Sequence, residues 1–215
     1  MAPTVVKSTL IDGYGTTLTV PVTSTGGNTL VIAVSVGNTN KPTDTAGNNW
    51  VLAMDTSTIG ASAQRLGQIW YCINAQPVTS VTITHATAQN YCGVMVELEG
   101  VQTLALSAMN TGTSTVPAGD AAPGDLVLNS CFYFQSTGTP PVAAPAGFTA
   151  VATAVRGNNF NGLAQRTATT TGTAGATWGM GSNGAQLVTV WRGAAVPQYY
   201  RKVGSEWKPA DLIRL

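Results

Sequence analysis

A lone histidine, two pairs of acidic residues and three cysteines carry most of the reactive potential of this chain. His85, in Thr84-His85-Ala86, is the only imidazole, so any Ser-His-Asp or Cys-His arrangement has to use it. No Gly-x-Ser-x-Gly elbow accompanies it, and no cysteine has a base nearby in sequence. At the end of a strand-like run, a single histidine reads as a solvent-facing residue. Glu97 and Glu99 stand two apart on a strand, which places both on one face, about 7 Å from each other. Two carboxylates at that distance could imitate a glycosidase pair, although such pairs come from different strands lining a cleft. The plainer reading puts Val94, Val96 and Leu98 in a core, with Met95, Glu97 and Glu99 facing outward.

Asp120 and Asp125 flank Ala121-Ala122-Pro123-Gly124 and could offer oxygens to calcium. Calcium wants about six to eight oxygens, and two carboxylates fall short, whereas aspartate at turns is common for its local hydrogen bonds. Cys72, Cys92 and Cys131 are odd in number, none lies in a Cys-x-x-Cys, and each sits in an apolar run. Buried free thiols are expected, with no zinc site. The glycine-rich stretches lack both the Walker lysine and a strand–turn–helix setting, so no phosphate cradle is implied. No catalytic, metal or cofactor residue is expected. The chain reads as a protein that is not an enzyme.

The elements that hold these residues are strands. Residues 29–36 form a β-rich run entered through Gly26-Gly27-Asn28, and Thr17-Leu18-Thr19-Val20 alternates with the period of a half-buried strand. Similar runs cover residues 50–55, 68–73, 78–84 and 93–98, separated by Gly, Asn, Pro and Asp clusters suited to turns. No window carries a capped apolar stripe of helical period. Trp50, Trp70, Trp178 and Trp191 lie in or beside these runs and are expected to fill cores.

The two halves echo each other. Gly27-Asn28-Thr29-Leu30-Val31-Ile32 resembles Gly124-Asp125-Leu126-Val127-Leu128, and Ala46-Gly47 is answered by Ala146-Gly147. Leu18-Thr19 ahead of Val20-Pro21 parallels Ser114-Thr115 ahead of Val116-Pro117. The closing run 94–98 before Glu99-Gly100-Val101 is answered by 187–191 before Arg192-Gly193-Ala194. A spacing near a hundred residues suits one small sandwich per half. The expected fold is all-β: two pseudo-repeated antiparallel β-sandwich halves of the Ig-like or jelly-roll-like kind, residues 1–101 and 102–195. Residues 196–215 then form a charged, aromatic tail.

That tail differs in style. Val203-Gly204-Ser205 can turn a short hairpin, with Tyr200 and Trp207 able to meet across it. Isolated hairpins are marginal in water, so this one is expected to dock on its own sandwich or on another chain. Tyr199, Tyr200, Arg201, Trp207 and Lys208 are the candidate partner-binding residues, since aromatics and arginine are enriched at interfaces.

Composition narrows the function classes. Hydrophobic residues make up 44% of the 215, enough for a core, but charged residues only 9%, and net charge is +1. Nucleic acid binding by counterion release needs clustered Lys and Arg, which are absent. No run approaches the roughly 20 apolar residues of a membrane helix. The N-terminal Met-Ala-Pro-Thr-Val-Val-Lys lacks a signal-peptide pattern, which predicts folding in a cytoplasm. A surface this poor in charge repels other copies weakly, so packing beside neighbours is expected.

The series Gly27-Asn28-Thr29-Leu30-Val31-Ile32-Ala33-Val34, Asp44-Thr45-Ala46-Gly47-Asn48-Asn49-Trp50, Ile69-Trp70-Tyr71 and Val96-Glu97-Leu98-Glu99-Gly100-Val101 resembles a β-sandwich family of tailed-bacteriophage virion proteins, also met in bacterial surface proteins. Pro123-Gly124-Asp125-Leu126-Val127 and Pro145-Ala146-Gly147-Phe148 continue the pattern, so the resemblance spans most of residues 1–195. The segment from Tyr199 to Pro209 is similar to C-terminal segments of minor tail proteins from actinobacterial siphophages. The resemblance implies a structural virion protein at the tail tip or a tail fibre, assembled in a host cytoplasm. It implies other virion proteins as partners and a homo-oligomer, by analogy with fibres a trimer. A capsid decoration or head-fibre protein is the alternative within that class. A glycan-binding module contacting the host surface is the alternative outside it, and it requires an exposed aromatic platform.

Overall fold

Short alternating runs bounded by turn residues give strands, and the computed structural model is built from them. It describes residues 1–36, 39–56, 67–111, 120–134, 143–173, 175–178, 184–194, 200–203 and 206–209. The first half contributes β1 (Thr4–Pro21), β2 (Thr29–Val34), β3 (Thr43–Asp44), β4 (Val51–Asp55), β5 (Gln68–Cys72) and β6 (Ser80–Glu99). The second contributes β7 (Val101–Thr111), β8 (Asp120–Ala121), β9 (Leu126–Phe134), β10 (Thr149–Arg156), β11 (Asn159–Thr167), β12 (Gly172–Thr173) and β13 (Gly184–Gly193). A separate pair, β14 (Tyr200–Val203) and β15 (Glu206–Pro209), ends the described chain. No α-helix forms among the described residues.

The first sheet is ordered β1-β6-β2-β5-β4, with β3 on β6, and the second β10-β11-β9-β13-β7, all antiparallel. Numbering the five long strands of each half in chain order gives 1-5-2-4-3 in both sheets. The chain is therefore an internal duplication: β1, β2, β4, β5 and β6 correspond to β7, β9, β10, β11 and β13. Turn hydrogen bonds repeat as well. Gly27 N–H donates to Ala75 O and Ala75 N–H to Asn28 O; Gly124 N–H donates to Ala168 O and Ala168 N–H to Asp125 O. Gly27 and Gly124 have φ of 86° and 88°, a region glycine enters without steric cost.

Each sheet is apolar on both faces. In the first, Val31, Ala33, Ile69, Val94, Val96 and Leu98 point one way, and Leu30, Ile32, Val34, Trp70 and Met95 the other. The first set packs against Leu126, Leu128, Phe132, Leu163, Leu187 and Trp191 of the second sheet, so the two halves share one core. Tyr71 meets Trp191 edge-on there, with ring centroids 5.5 Å apart. The opposite face of the first sheet is covered by a thinner layer. Residues 17–21 of β1 pair with residues 80–84 of β6, and Val20, Val81 and Ile83 close over Trp50 and Trp70. On the outer face of the second sheet, Val127, Val188 and Val190 lie under Ala121 and Ala168, and Cys131 and Phe160 under Trp178.

Two expectations change. The runs 78–84 and 93–98 belong to one 20-residue strand, β6. Its polar middle, which no apolar alternation marks, bends where four residues, 85–88, stand opposite Thr16 alone. Met95 and Glu97 also do not face outward: both are buried, because the second layer covers the face that alternation alone assigned to solvent.

The shared core has little slack where the halves meet. A Cβ on Gly67, ahead of β5, would lie 2.6 and 2.7 Å from the two Cδ atoms of Phe132 on β9. Gly67→Ala is expected to lower unfolding free energy by about 1–3 kcal/mol, read from the urea midpoint, as overpacking of a closed core does.

Candidate functional site

The acidic residues singled out for chemistry sit where loops meet strands. Glu97, on β6, is buried, and its Oε1 accepts from Thr25 N–H at 2.8 Å and Asn28 Nδ2 at 2.6 Å. That carboxylate holds the 23–28 loop leading into β2. Lys7 stands opposite Glu97 in the β1–β6 register and donates from Nζ to Thr23 O at 2.7 Å, closing the same loop. The cavity beside them, lined by Lys7, Thr23, Ser24 and Glu97, encloses about 10 Å³, room for one water and not for a sugar ring. Glu99, at the strand end, is exposed. The two glutamates are not brought together around a cleft.

In the second half Asp125, on the loop before β9, is held by an ion pair from the closing strand. It is buried, and the Arg192 guanidinium on β13 grips it twice, Nε to Oδ1 at 3.0 Å and Nη2 to Oδ2 at 2.8 Å. Ala122 N–H donates to Oδ2 at 2.8 Å. Where the first half places the carboxylate on the closing strand, the second places it on the loop. A cation already occupies this carboxylate, so the calcium reading would require displacing Arg192. Asp120 pairs through its backbone with Thr173, and its side chain lies outside the described residues. Burial pushes the Asp125 carboxyl upward, but the bonds from Arg192 and Ala122 outweigh it and hold the group below the usual aspartate range.

Asp44, which drew no attention in the sequence, organises a third loop. Its Oδ1 accepts from Ala46 N–H at 2.8 Å and Asn48 N–H at 3.2 Å, and its Oδ2 from Trp50 Nε1 at 2.8 Å. Burial raises its pKa, and the donors from Asn48, Ala46 and Trp50 together bring it below the ordinary value. The signal was present in Asp44-Thr45-Ala46-Gly47: an aspartate two residues before an amide it can accept from.

The remaining candidates also serve structure. His85 lies at the bend of β6, its Nδ1 3.1 Å from Thr87 N and 2.9 Å from Thr87 O. Cys72, Cys92 and Cys131 are free and buried. Burial raises all three thiols, Cys92 to about 12, far from the thiolate form a nucleophile needs. Trp50, Trp70, Trp178 and Trp191 are buried, and each indole N–H has an acceptor: Asp44, Gln68, Asn129 and Thr189. None of these four can form an aromatic platform for a glycan.

Of the tail residues, Tyr199 lies outside the described residues, as do Gly204 and Ser205. Tyr200 and Arg201 fall on β14, Trp207 and Lys208 on β15. The strands pair antiparallel in their own two-stranded sheet, with Tyr200 opposite Pro209, Arg201 opposite Lys208 and Lys202 opposite Trp207. Tyr200 and Trp207 are thus diagonal neighbours across the hairpin.

Comparison with known proteins returns no matching family model, no matching curated protein and no matching solved structure.

Two outcomes follow from the loop anchors. Glu97→Ala leaves the Thr25 and Asn28 donors without their buried acceptor and is expected to cost about 1–3 kcal/mol in denaturant unfolding. Glu97→Gln, which keeps an acceptor oxygen, is expected to cost less. For Asp125, a folded pKa below the unfolded value contributes stability that is present above about pH 3.9. It is lost as pH falls through the folded value. Asp125→Asn is therefore expected to flatten the acid limb of the urea midpoint against pH.

Proposed function

We propose that this chain is a structural virion protein of a tailed bacteriophage, a component of the tail tip or tail fibre, and not an enzyme. The observation that supports this most is the use made of its acidic side chains. Glu97, Asp125 and Asp44 each direct their oxygens onto the loop they close, which gives the duplicated sandwich fixed loop geometry. Polar groups used in this way suit a rigid module for display and docking. The resemblance of residues 1–195 to virion β-sandwiches supplies the setting.

On this reading the C-terminal hairpin makes the contact with other virion proteins, through Tyr199, Tyr200, Arg201, Trp207 and Lys208. Copies of the chain associate into a homo-oligomer, and the virion is completed in the host cytoplasm. Burial of four tryptophans disfavours the glycan-binding alternative, which would have to rest on Trp207 or on tyrosines.

Imaging of intact particles carrying the labelled chain tests the reading. Label at the tail tip or fibre is expected; label on the head would make the chain a capsid decoration or head-fibre protein. A chain missing from particles would overturn the proposal. Removal of residues 196–215 is expected to leave the β-sheet circular dichroism in place and to abolish incorporation.

A further inference from the structure

The outer layer of the second half is built differently from that of the first. In the first half β6 runs unbroken from Ser80 to Glu99, so the ribbon covering Trp50 and Trp70 is one piece with the sheet beneath it. In the second half the equivalent path stops at Thr173, the end of β12, and resumes at Gly184, the start of β13. Residues 175–178 between them belong to no strand, yet Trp178 packs onto the outer face of the second sheet.

That one side chain anchors the segment. Trp178 is buried over Cys131, Phe160 and Ala164. Its seat requires a glycine: a Cβ on Gly162 would lie 2.9 Å from the indole Cη2 and 3.0 Å from Cys131 Sγ. Two fully buried carboxamides, Asn129 on β9 and Gln186 on β13, receive it. Gln186 Oε1 accepts from Trp178 N–H at 2.8 Å, and Asn129 Oδ1 accepts from Trp178 Nε1 at 3.2 Å. Asn129 Nδ2 donates to Ala176 O at 2.6 Å. The segment is therefore tied to two strands of the sheet by side chains.

The composition on either side of the anchor opposes ordering. Gly172, Gly175, Gly179, Gly181 and Gly184 punctuate residues 172–184, and Trp178 is the one aromatic residue among them. Glycine loses more backbone freedom on folding than any other residue, so little holds such a segment beyond its anchor. The shared core lies on the other face of the sheet. Leu128, Phe132, Leu163 and Leu187 build it against the first sheet without Trp178. Release of the segment leaves that core whole.

We propose that residues 175–178 form a latched strap, with Trp178 as the latch, which lifts from the second sheet while the two-sheet core stays folded. Lifting uncovers Cys131 together with the carboxamides that received Trp178, a socket cut for an indole. Opening of this kind belongs to the low-stability end of a structure and is separate from global unfolding. It is a property of the isolated chain and does not depend on a place in a virion.

The native thiols report the motion on the full-length chain, because they sit in different layers. Cys131 lies beneath Trp178, whereas Cys92 lies between the sheets, its Sγ 3.5 Å from Asn159 O, and is reached when the halves separate. Thiol labelling is followed in increasing urea, with each site assigned by peptide mass spectrometry and each rate taken relative to the unfolded chain. Without urea, Cys131 is expected to react about tenfold or more faster than Cys92. Its rate is expected to rise weakly with urea, since a strap exposes little surface, while Cys92 follows the full slope of global unfolding. Trp178→Ala is expected to bring Cys131 close to the rate of an unfolded thiol, with Cys92 still protected and the β-sheet circular dichroism retained. Equal rates and equal urea slopes for Cys131 and Cys92 in the unaltered chain overturn the proposal, whatever the variant does. So does a folded Trp178→Ala chain in which Cys131 is as protected as before.

Discussion

Burial of both faces of both sheets is the constraint on which this molecule depends. A sheet that is apolar on one side needs one covering layer; these sheets are apolar on two sides and need two each. They supply one layer to each other, through Val31, Val94 and Val96 against Leu126, Leu187 and Trp191. Each half grows the other from its own ends. In the first half that outer layer is the far portion of the β1–β6 ribbon, folded back over Trp50 and Trp70. In the second, the corresponding ribbon is broken into the short pair β8–β12 and the strands β7 and β13. Neither half has a complete core without the other.

Duplication repeats the loops, while the polar anchors that hold them differ in type and in place. The loop before β2 and the loop before β9 have the same turn, the same glycine conformation and the same pair of backbone bonds to the strand-end alanine. Each also needs a charged side chain from the closing strand to hold it. One copy solves this with Glu97 reaching Thr25 and Asn28, the other with Arg192 reaching Asp125. The two clamps do not share a position, since the strand registers match Arg192 with Glu99 and Glu97 with Val190. Either arrangement satisfies the buried groups.

Much of this was legible in the sequence, and the failures are as physical as the successes. Alternation located β2, β4, β5 and the end of β6, and the recurrence of Gly-Asn and Gly-Asp before an apolar run revealed the repeat. The four core tryptophans followed from their places in strands. Alternation did not reveal the strand over residues 4–15, where Ser, Thr, Asp and Gly intervene and pairing with β6 supplies the stability instead. It also misplaced Glu97 and Met95. Period two says which residues share a face; it does not say whether that face meets water or a further layer. The turn spacing after Asp44 carried a signal, but its bond from Trp50 and the grip of Arg192 on Asp125 depended on contacts across a turn and across 67 residues. Spacing alone does not encode those.

The strand order 1-5-2-4-3 has a consequence for how the chain comes into being. In each half the first strand lies beside the last, so neither sheet can close until its final strand has been synthesised. When residue 99 leaves the ribosome, the first sheet can assemble, but its inner face still lacks a lid. That lid is complete only with β13, some ninety residues later, or about 5–20 s at ordinary rates of translation. During that interval a broad oily surface stands open on a nascent polypeptide dominated by long-range pairing, the kind that folds slowly. Quality control in the producing cell therefore meets this molecule as a half-finished sandwich, and its low surface charge gives that intermediate little protection from its neighbours.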